Sequence, residues 1–218
     1  MSLARLKKEG FIAILRHISP ENMRDVAKAL YSGGVRFIEV TFNPSSEKTV
    51  YDTQKSICII NDLYGDEVCV GAGTVLTMEY ARKAKEAGAE FLVSPCTNLN
   101  IISYAKENDI LSMPGAYTPN EIMNAYDNGA DVVKIFPVLP NNIDYLRVIT
   151  APLSHIPFIP TGGVNPSNIE EFMKCGALAV AAGATVVTNE MIQKSDYAQI
   201  TKNATLHVEA VRSFLCTR

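Results

Sequence analysis

The stretch Asn128-Gly129-Ala130-Asp131-Val132-Val133-Lys134 decides the fold, because its register recurs at three other places in the chain. In each copy a helical pattern ends at a glycine, a small or polar residue follows, and an apolar run begins. A glycine at this point suits the C-terminal cap of a helix, where the backbone is left-handed. The other copies occupy residues 33–39, 87–93 and 175–181.

The spacing of these copies predicts two strand–helix units per repeat. Gly34, Gly88, Gly129 and Gly176 are separated by 54, 41 and 47 residues, too many for one unit. The intervening strands are predicted at residues 11–16, 69–75, 111–115 and 157–163. Near-continuous apolar runs of this kind are typical of parallel strands covered on both faces. Eight strands alternating with helices predict an α/β fold, a (β/α)8 TIM barrel, formed as a single domain over residues 1–218.

A doubly wound open sheet is the alternative fold. Such a sheet should carry a nucleotide-binding fingerprint after a strand. The segment Gly71-Ala72-Gly73-Thr74 has only two of the three glycines and no acidic partner at the usual distance. We therefore interpret it as a strand end of the barrel.

Prolines mark the predicted helix starts. Ser19-Pro20, Asn43-Pro44, Thr118-Pro119 and Asn165-Pro166 each place a capping side chain before a proline, as expected at an N-cap and the first helical position. Thr118 and Glu121 also fit a capping box. The predicted helices cover residues 20–32, 46–62, 78–87, 99–107, 119–128, 143–153, 166–175 and 197–214, preceded by a short amphipathic N-terminal helix.

Composition argues against several classes of partner. The 218 residues are 47% hydrophobic and 20% charged with a net charge of −3, so neither nucleic acid nor an anionic membrane is an expected partner. No apolar stretch approaches the roughly 20 residues of a membrane span, and the N-terminus lacks the apolar core of a signal peptide. A cytoplasmic location is expected.

Cysteine and histidine usage gives no sign of a disulfide scaffold or a zinc site. The five cysteines are scattered, odd in number and form no C-x-x-C pair. The three histidines show no metal-ligand spacing. We expect no metal at the site, although carboxylate-bound magnesium stays open.

Lys134 stands in an otherwise apolar run, residues 131–138. Lysine is rarely buried, and burial lowers its pKa, which yields a neutral amine that can attack a carbonyl and form a Schiff base. A lysine whose ammonium reaches solvent from a strand end, or a structural ion pair, is the alternative.

Glu39 occupies the same repeat position on the second strand as Lys134 does on the sixth. Side chains from even-numbered strands share layers inside such a barrel, and the other two members of this layer are Val93 and Ala181. A buried ion pair kept for folding is the alternative, but an apolar replacement is often equally stable. Because perturbed groups cluster at active sites, the pair predicts catalysis.

Polar and glycine residues follow other strands at the same end of the barrel. Thr161-Gly162-Gly163 closes the seventh strand just before a helix, and Gly183 closes the eighth, where barrels often bind phosphate. Arg16 ends the first strand and Thr74 the third; an arginine can hold a carboxylate with two parallel hydrogen bonds. Tight glycine turns and a solvated arginine are the alternatives.

These residues resemble a known family, the bacterial class I aldolases that cleave 2-keto-3-deoxy-6-phosphogluconate and often 4-hydroxy-2-oxoglutarate. The resemblance runs nearly end to end, through residues 38–41, 70–75, 93–95, 113–115, 134–137 and 160–163. It implies a homotrimer that needs no cofactor and acts on a phosphorylated 2-oxo acid. It also implies Lys134 as the Schiff-base lysine, Glu39 as the proton-transfer carboxylate, Thr74 and Pro95 as pyruvate-site residues, Phe136 and Thr161 as substrate-pocket residues, and Gly162 and Gly163 as phosphate ligands.

The chain departs from the family pattern at two positions. Asn43 stands where many members carry an arginine for the substrate carboxylate, while Arg16 resembles the arrangement of the related phosphogalactonate aldolases. Thr161 resembles the gluconate branch. Ala184 stands where the family often has a phosphate-binding serine, which removes one neutral hydrogen bond of about 1 kcal/mol.

Two other functions compete with aldol cleavage. The first is a sugar-phosphate epimerase or isomerase in which Glu39 is the base and Lys134 an electrostatic stabiliser. The second is a catalytically silent ligand-binding barrel. A covalent adduct on Lys134 distinguishes the aldolase from the former, and turnover distinguishes it from the latter.

Overall fold

The computed structural model of the chain describes residues 3–139 and 142–217. It contains nine parallel strand segments within this part of the chain. They are β1 Phe11–Leu15, β2 Phe37–Thr41, β3 Cys69–Gly73, β4 Phe91–Val93, β5 Leu111–Met113, β6 Gly115–Ala116, β7 Val133–Ile135, β8 Phe158–Pro160 and β9 Val180–Ala182.

Ten α-helices alternate with these strands over the described residues. They are α1 Leu3–Glu9, α2 Pro20–Ser32, α3 Thr49–Tyr64, α4 Met78–Glu86, α5 Leu99–Glu107, α6 Pro119–Asp127, α7 Ile143–Thr150, α8 Ile169–Lys174, α9 Asn189–Gln193 and α10 Tyr197–Cys216. Short 3-10 turns at Gly65–Glu67 and Ala151–Leu153 follow α3 and α7.

The strands close into a barrel, which confirms the predicted fold and its short N-terminal helix. Hydrogen bonding runs in the order β5-β4-β3-β2-β1-β9 and in the order β6-β7-β8. The two sheets join at Pro114, which separates β5 from β6, and at a bridge between Thr161 and Ala181. Proline has no N–H to donate, so the fifth barrel strand is interrupted there rather than continuous. Counted around the barrel, the nine segments make eight strands.

The core has two layers. One cluster of buried side chains fills the barrel interior and contains Val93 and Ala181, the two apolar positions predicted to share a layer with Lys134 and Glu39. The larger cluster packs the outer faces of the strands against the helices. The repeat glycines Gly34, Gly88, Gly129 and Gly176 all have positive φ, as the repeat register predicted.

Two predicted helix starts are wrong. The helix predicted from residue 46 begins at Thr49, and the one predicted from residue 166 begins at Ile169. The side chain of Asn43 accepts a hydrogen bond from the backbone of Ser45, and Asn165 accepts one from Ser167. Each asparagine therefore closes a local turn before the helix instead of capping it.

The start of α6 agrees with the prediction in detail. Thr118 and Glu121 form the capping box, with the carboxylate of Glu121 accepting from the backbone of Thr118 at 2.8 Å. Helix α9 was not predicted. In the described parts of the chain, 3–139 and 142–217, no helix has the length and hydropathy needed to cross a membrane.

Candidate active site

Lys134 lies at the centre of β7, with Gly115 and Ile159 as its neighbours on the adjoining strands. Its side chain is only 2% exposed, so the amine does not reach bulk solvent. Burial lowers the pKa of Lys134, the nearby charge of Arg16 lowers it further, and Glu39 opposes both. The amine is therefore biased toward its neutral, nucleophilic form.

Glu39 lies on β2, in register with Ile14 and Gly71, and is 1% exposed. Burial raises the pKa of this carboxyl, while Lys134 and Arg16 lower it. The carboxylate lies directly against Gly73, where a side chain would overlap it. Removal of water thus moves the two pKa values toward each other, the arrangement that suits proton transfer near neutral pH.

The amine and the carboxylate influence each other's pKa without forming a salt bridge. No nitrogen–oxygen distance of 4.0 Å or less joins Lys134 to Glu39, both of which are described residues. The amine lies over the ring of Phe136, whose centroid is 5.1 Å from Nζ. No hydrogen bond or ion pair joins the amine to another residue in the described parts of the chain.

A cavity of about 430 Å³ opens at the carboxyl ends of β1, β8 and β9. It unites six of the ten predicted site residues: Arg16, Phe136, Thr161, Gly162, Gly163 and Gly183. Ala184 and Thr185 also line it. These residues come from strand ends far apart in the chain, which is how active sites of barrels are built.

Glycine is required at the floor of this cavity. Gly162 and Gly163 have φ angles of 110° and 60°, in the region that favours glycine. A Cβ atom on Gly162 would lie 2.7 Å from the carbonyl oxygen of Val138. The chain therefore presents bare backbone to the cavity, which suits close approach of an anion.

Thr161 brings an unpartnered hydroxyl to the same cavity. Its side chain is 3% exposed, and Oγ1 is the buried side-chain polar atom that lacks a hydrogen-bond partner among the described residues. A buried hydroxyl without a partner costs stability. Such a group at a cavity wall is a candidate for recognising a polar ligand.

Pro95 and Thr74 stand apart from the first cavity. Pro95 lines a second cavity of about 350 Å³, which shares the Phe136 ring with the first. Thr74 follows β3 directly and has a φ of 56°, but it lines neither cavity. Lys134 and Glu39 do not line them either, so Phe136 is the residue that connects both cavities with the amine.

Asn43 does not line the large cavity. It lines a separate crevice of about 170 Å³ together with His17 and Asp52. Its backbone N–H donates to Thr49 Oγ1 at 2.6 Å. Arg16, in contrast, lines the large cavity and acts on the pKa values of both Lys134 and Glu39.

Sequence reasoning missed Thr185. This residue lines the large cavity and donates a hydrogen bond to the carbonyl of Val164 at 2.8 Å. Its position after Gly183-Ala184, just beyond the last strand, was the available signal.

Comparison with known proteins supports what this geometry indicates. The family model for KDPG and KHG aldolase matches residues 3–203. The chain belongs to the KDPG and KHG aldolase family. It is thus a lyase, an aldolase that forms pyruvate, as the resemblance implied.

Individual relatives cover nearly the whole chain. The KHG/KDPG aldolase of Escherichia coli K12 is 33% identical over 195 residues, 88% of this chain and 87% of the relative. The 2-dehydro-3-deoxy-6-phosphogalactonate aldolase of the same organism is 30% identical and covers 81% and 84%. The structure of a KDPG aldolase from Legionella pneumophila, with pyruvate captured as a covalent carbinolamine, has 25% identity, a TM-score of 0.82 and coverage of 94% and 97%.

The side chains of the described residues form no group of three or more histidines, cysteines, aspartates or glutamates placed to bind a metal ion.

Proposed function

We propose that this aldolase uses Lys134 as a Schiff-base nucleophile and cleaves a 2-keto-3-deoxy-6-phospho sugar acid of the gluconate type to pyruvate and glyceraldehyde 3-phosphate. It also cleaves 4-hydroxy-2-oxoglutarate to pyruvate and glyoxylate. The observation that carries the proposal is a lysine 2% exposed inside the barrel, with its pKa lowered by burial.

In the first half of the reaction the neutral amine of Lys134 attacks the C2 ketone. The carbinolamine then loses water, with Glu39 moving the protons to and from oxygen and nitrogen. Glu39 suits this task because burial raises its pKa toward neutrality. The product is an iminium ion, which draws electrons from the neighbouring carbon–carbon bond.

In the second half the C3–C4 bond breaks as the proton of the C4 hydroxyl is removed. Glu39, acting through a bound water, is the base. The bond electrons flow into the iminium and give an enamine, and the aldehyde leaves. Protonation of the enamine carbon and hydrolysis of the imine release pyruvate and restore the lysine. These steps require no metal or organic cofactor.

The residues that line the cavities, together with Thr74 at the end of β3, bind the two ends of the substrate. Arg16 and Thr74 hold the substrate carboxylate, Pro95 and Phe136 pack against its carbon chain, and the backbone of Gly162, Gly163 and Gly183 holds the phosphate. Orientation of the ketone against the amine alone lowers the barrier by several kcal/mol, since well-positioned reactions gain roughly 7–11 kcal/mol.

A phosphogalactonate-type aldolase is the second candidate. The cavity position of Arg16, directly after β1, favours it, whereas Thr161 favours the gluconate type. Release of pyruvate from the two phosphorylated sugar acids, measured side by side, decides between them. A larger kcat/KM for the galactonate substrate would overturn the gluconate assignment.

The decisive test of the chemistry is covalent trapping. Incubation with pyruvate and borohydride should add the mass of reduced pyruvate to Lys134, as found by peptide mass spectrometry. An epimerase or isomerase, or a silent binding barrel, would give no adduct. We also propose a cytoplasmic homotrimer, and light scattering of the purified protein tests the oligomeric state.

A further inference from the structure

His207 lies buried on α10, one layer outside the large cavity, and plays no part in the chemistry above. It is 1% exposed and packs against the ring of Phe11, with 5.3 Å between ring centroids. Nδ1 lies 2.7 Å from the backbone carbonyl oxygen of Asn203, and Nε2 lies 3.0 Å from Thr185 Oγ1. Both ring nitrogens therefore have a hydrogen-bond partner.

The chain of contacts continues from Thr185 to the cavity. Thr185 Oγ1 donates to the carbonyl oxygen of Val164 at 2.8 Å. Val164 follows Gly162-Gly163 and Thr185 follows Gly183-Ala184, and both residues line the cavity. The Thr185–Val164 hydrogen bond thus ties together the two glycine loops proposed to hold the phosphate.

The number of available protons shows which protonation state of His207 satisfies the hydrogen bonds from Asn203 through Thr185 to Val164. The carbonyl of Asn203 only accepts, so Nδ1 must carry a hydrogen. The single proton of the Thr185 hydroxyl is used on Val164, so Oγ1 can only accept from Nε2. A ring that makes both contacts while Thr185 donates to Val164 must carry a hydrogen on Nε2 as well, so only the imidazolium form satisfies all three hydrogen bonds.

Neutral His207 leaves one contact unmade. With its one proton on Nδ1, the ring has a bare Nε2, and the Thr185 hydroxyl must turn to donate to it. The carbonyl of Val164, a buried residue, then loses the only donor that the described residues give it. The link between the loops breaks at that point.

Burial acts in the opposite direction. Removal of water lowers the pKa of His207, and the carbonyl of Asn203 only partly offsets this. The hydrogen-bond network therefore favours the charged ring, whereas burial favours the neutral one. A negative charge in the adjoining cavity raises the pKa of His207 and thus favours the charged ring.

The described elements that pack around His207 supply no negative charge that would stabilise the charged ring. Helix α10 packs on α2, α8, α9 and β1, and β1 is wholly apolar. None of the charged side chains on these helices contributes to the pKa of His207. All of them are exposed: Glu21, Arg24, Asp25, Lys28, Glu170, Glu171, Lys174, Glu190, Lys202, Glu209 and Arg212.

We propose that His207 is a positioning residue that takes up a proton when an anion enters the cavity and thereby locks Thr185 onto Val164. The inference rests on the phosphate end of the proposed function. Helix α10 holds the same loop a second time, because Asn203 Nδ2 donates to the carbonyl of Val186 at 3.2 Å. Proton uptake by His207 thus adds the Thr185–Val164 hydrogen bond to a loop that Asn203 already holds.

Sulfate is the probe, because it stays a dianion across the range in which histidine titrates. Calorimetry in buffers of different ionisation enthalpy should show proton uptake on sulfate binding to the wild-type protein. The affinity should fall as the pH rises from the pKa of His207 in the free protein, which burial holds below the usual value of about 6.5, to the higher pKa of the ring beside the anion. The fall should be about tenfold for each unit between these two pKa values. His207→Gln retains an N–H donor for Thr185 but cannot titrate, so proton uptake and this part of the pH dependence should vanish.

His155→Gln is the matched control. His155 is exposed and lies against Tyr126, so this variant should keep the wild-type pH dependence. A second readout does not need a variant: the NMR titration of the His207 ring should move to higher pH when sulfate is added. It also decides the matter if His207→Gln does not fold.

Three results would overturn the inference: no sulfate binding, binding without proton uptake, or equal pH dependence in wild type and His207→Gln. The substrate provides a further distinction. KM for the phosphorylated sugar acid should rise with pH in the wild-type protein but not in His207→Gln, whereas KM for 4-hydroxy-2-oxoglutarate should be the same in both. Borohydride trapping of pyruvate does not involve the phosphate end. Intact trapping with pH-independent sulfate affinity would refute the His207 inference alone, whereas loss of trapping would refute the aldolase mechanism.

Discussion

The carboxylate of Glu39 occupies the space that a side chain at position 73 would need. Gly73 ends β3 next to β2, and a Cβ built on it overlaps Glu39 Oε1. The absence of a side chain on one strand thus permits a buried carboxyl on its neighbour. The position of the proposed proton-transfer group is therefore set jointly by two strands.

Gly73→Ala should lower kcat strongly while the protein stays folded, because the methyl group must displace the Glu39 carboxylate. The measurement is pyruvate release, with circular dichroism to verify the fold. Gly65→Ala is the control: nothing lies within 4 Å of its Cβ, although its φ of 47° adds some strain. Equal activity of the two variants would show that catalysis does not depend on the position of the Glu39 carboxylate.

Lys134→Ala and Lys134→Arg should both abolish pyruvate release and borohydride trapping. Arginine keeps the positive charge but stays protonated and cannot form the imine. If Lys134→Arg retained turnover, the lysine would act only as a charge, as the epimerase reading requires. Lys174→Arg, on the exposed face of α8, is a control that should behave as wild type.

Glu39→Gln should lower kcat by about 10²–10⁴-fold, the usual contribution of a general acid–base group. The amide has nearly the same shape, so KM should change little. Steady-state kinetics separate the two effects. A variant with normal kcat and raised KM would assign Glu39 to binding instead.

Arg16→Ala should raise KM for 2-oxo acids by about tenfold or more, since a hydrogen bond to a charged group contributes about 1.5–3 kcal/mol. It should also move the acid limb of the trapping rate to higher pH. Arg16 lowers the pKa of Lys134, so its removal raises that pKa, and the neutral amine is lost earlier as the pH falls. Arg24→Ala, exposed on α2, should leave both quantities unchanged.

Thr161→Val should stabilise the protein by about 1 kcal/mol, because it keeps the shape of the side chain and removes a buried hydroxyl that has no hydrogen-bond partner among the described residues. Urea unfolding measures the gain. The same variant should lose kcat/KM on the phosphorylated sugar acid if the hydroxyl contacts substrate. Unchanged kinetics together with higher stability would show that Thr161 takes no part in recognition.

The repeat register made the barrel predictable from sequence. Periodic glycines and apolar runs report local backbone geometry, and Gly129 followed by Lys134 also fixed the position of the proposed nucleophile on its strand. The same register placed Glu39 in the interior. These features depend on short-range pattern and on the regular geometry of the fold.

Other features depended on contacts that no short pattern contains. The Asn43 and Asn165 side chains close local turns, which a rule about asparagine before proline could not distinguish from a helix cap. The His207–Thr185 contact joins residues 22 positions apart on different elements. Only the packing of α10 against the strand ends brings these two together.

Phe136 forms a common wall of the two cavities and lies beside the lysine amine. We expect a smaller residue at this position to connect the two cavities and to admit water to the amine. Efforts to widen the range of accepted aldehydes should accordingly reshape the outer rims and leave this ring in place. The aromatic side chain thus limits how far the site can be redesigned without losing its nucleophile.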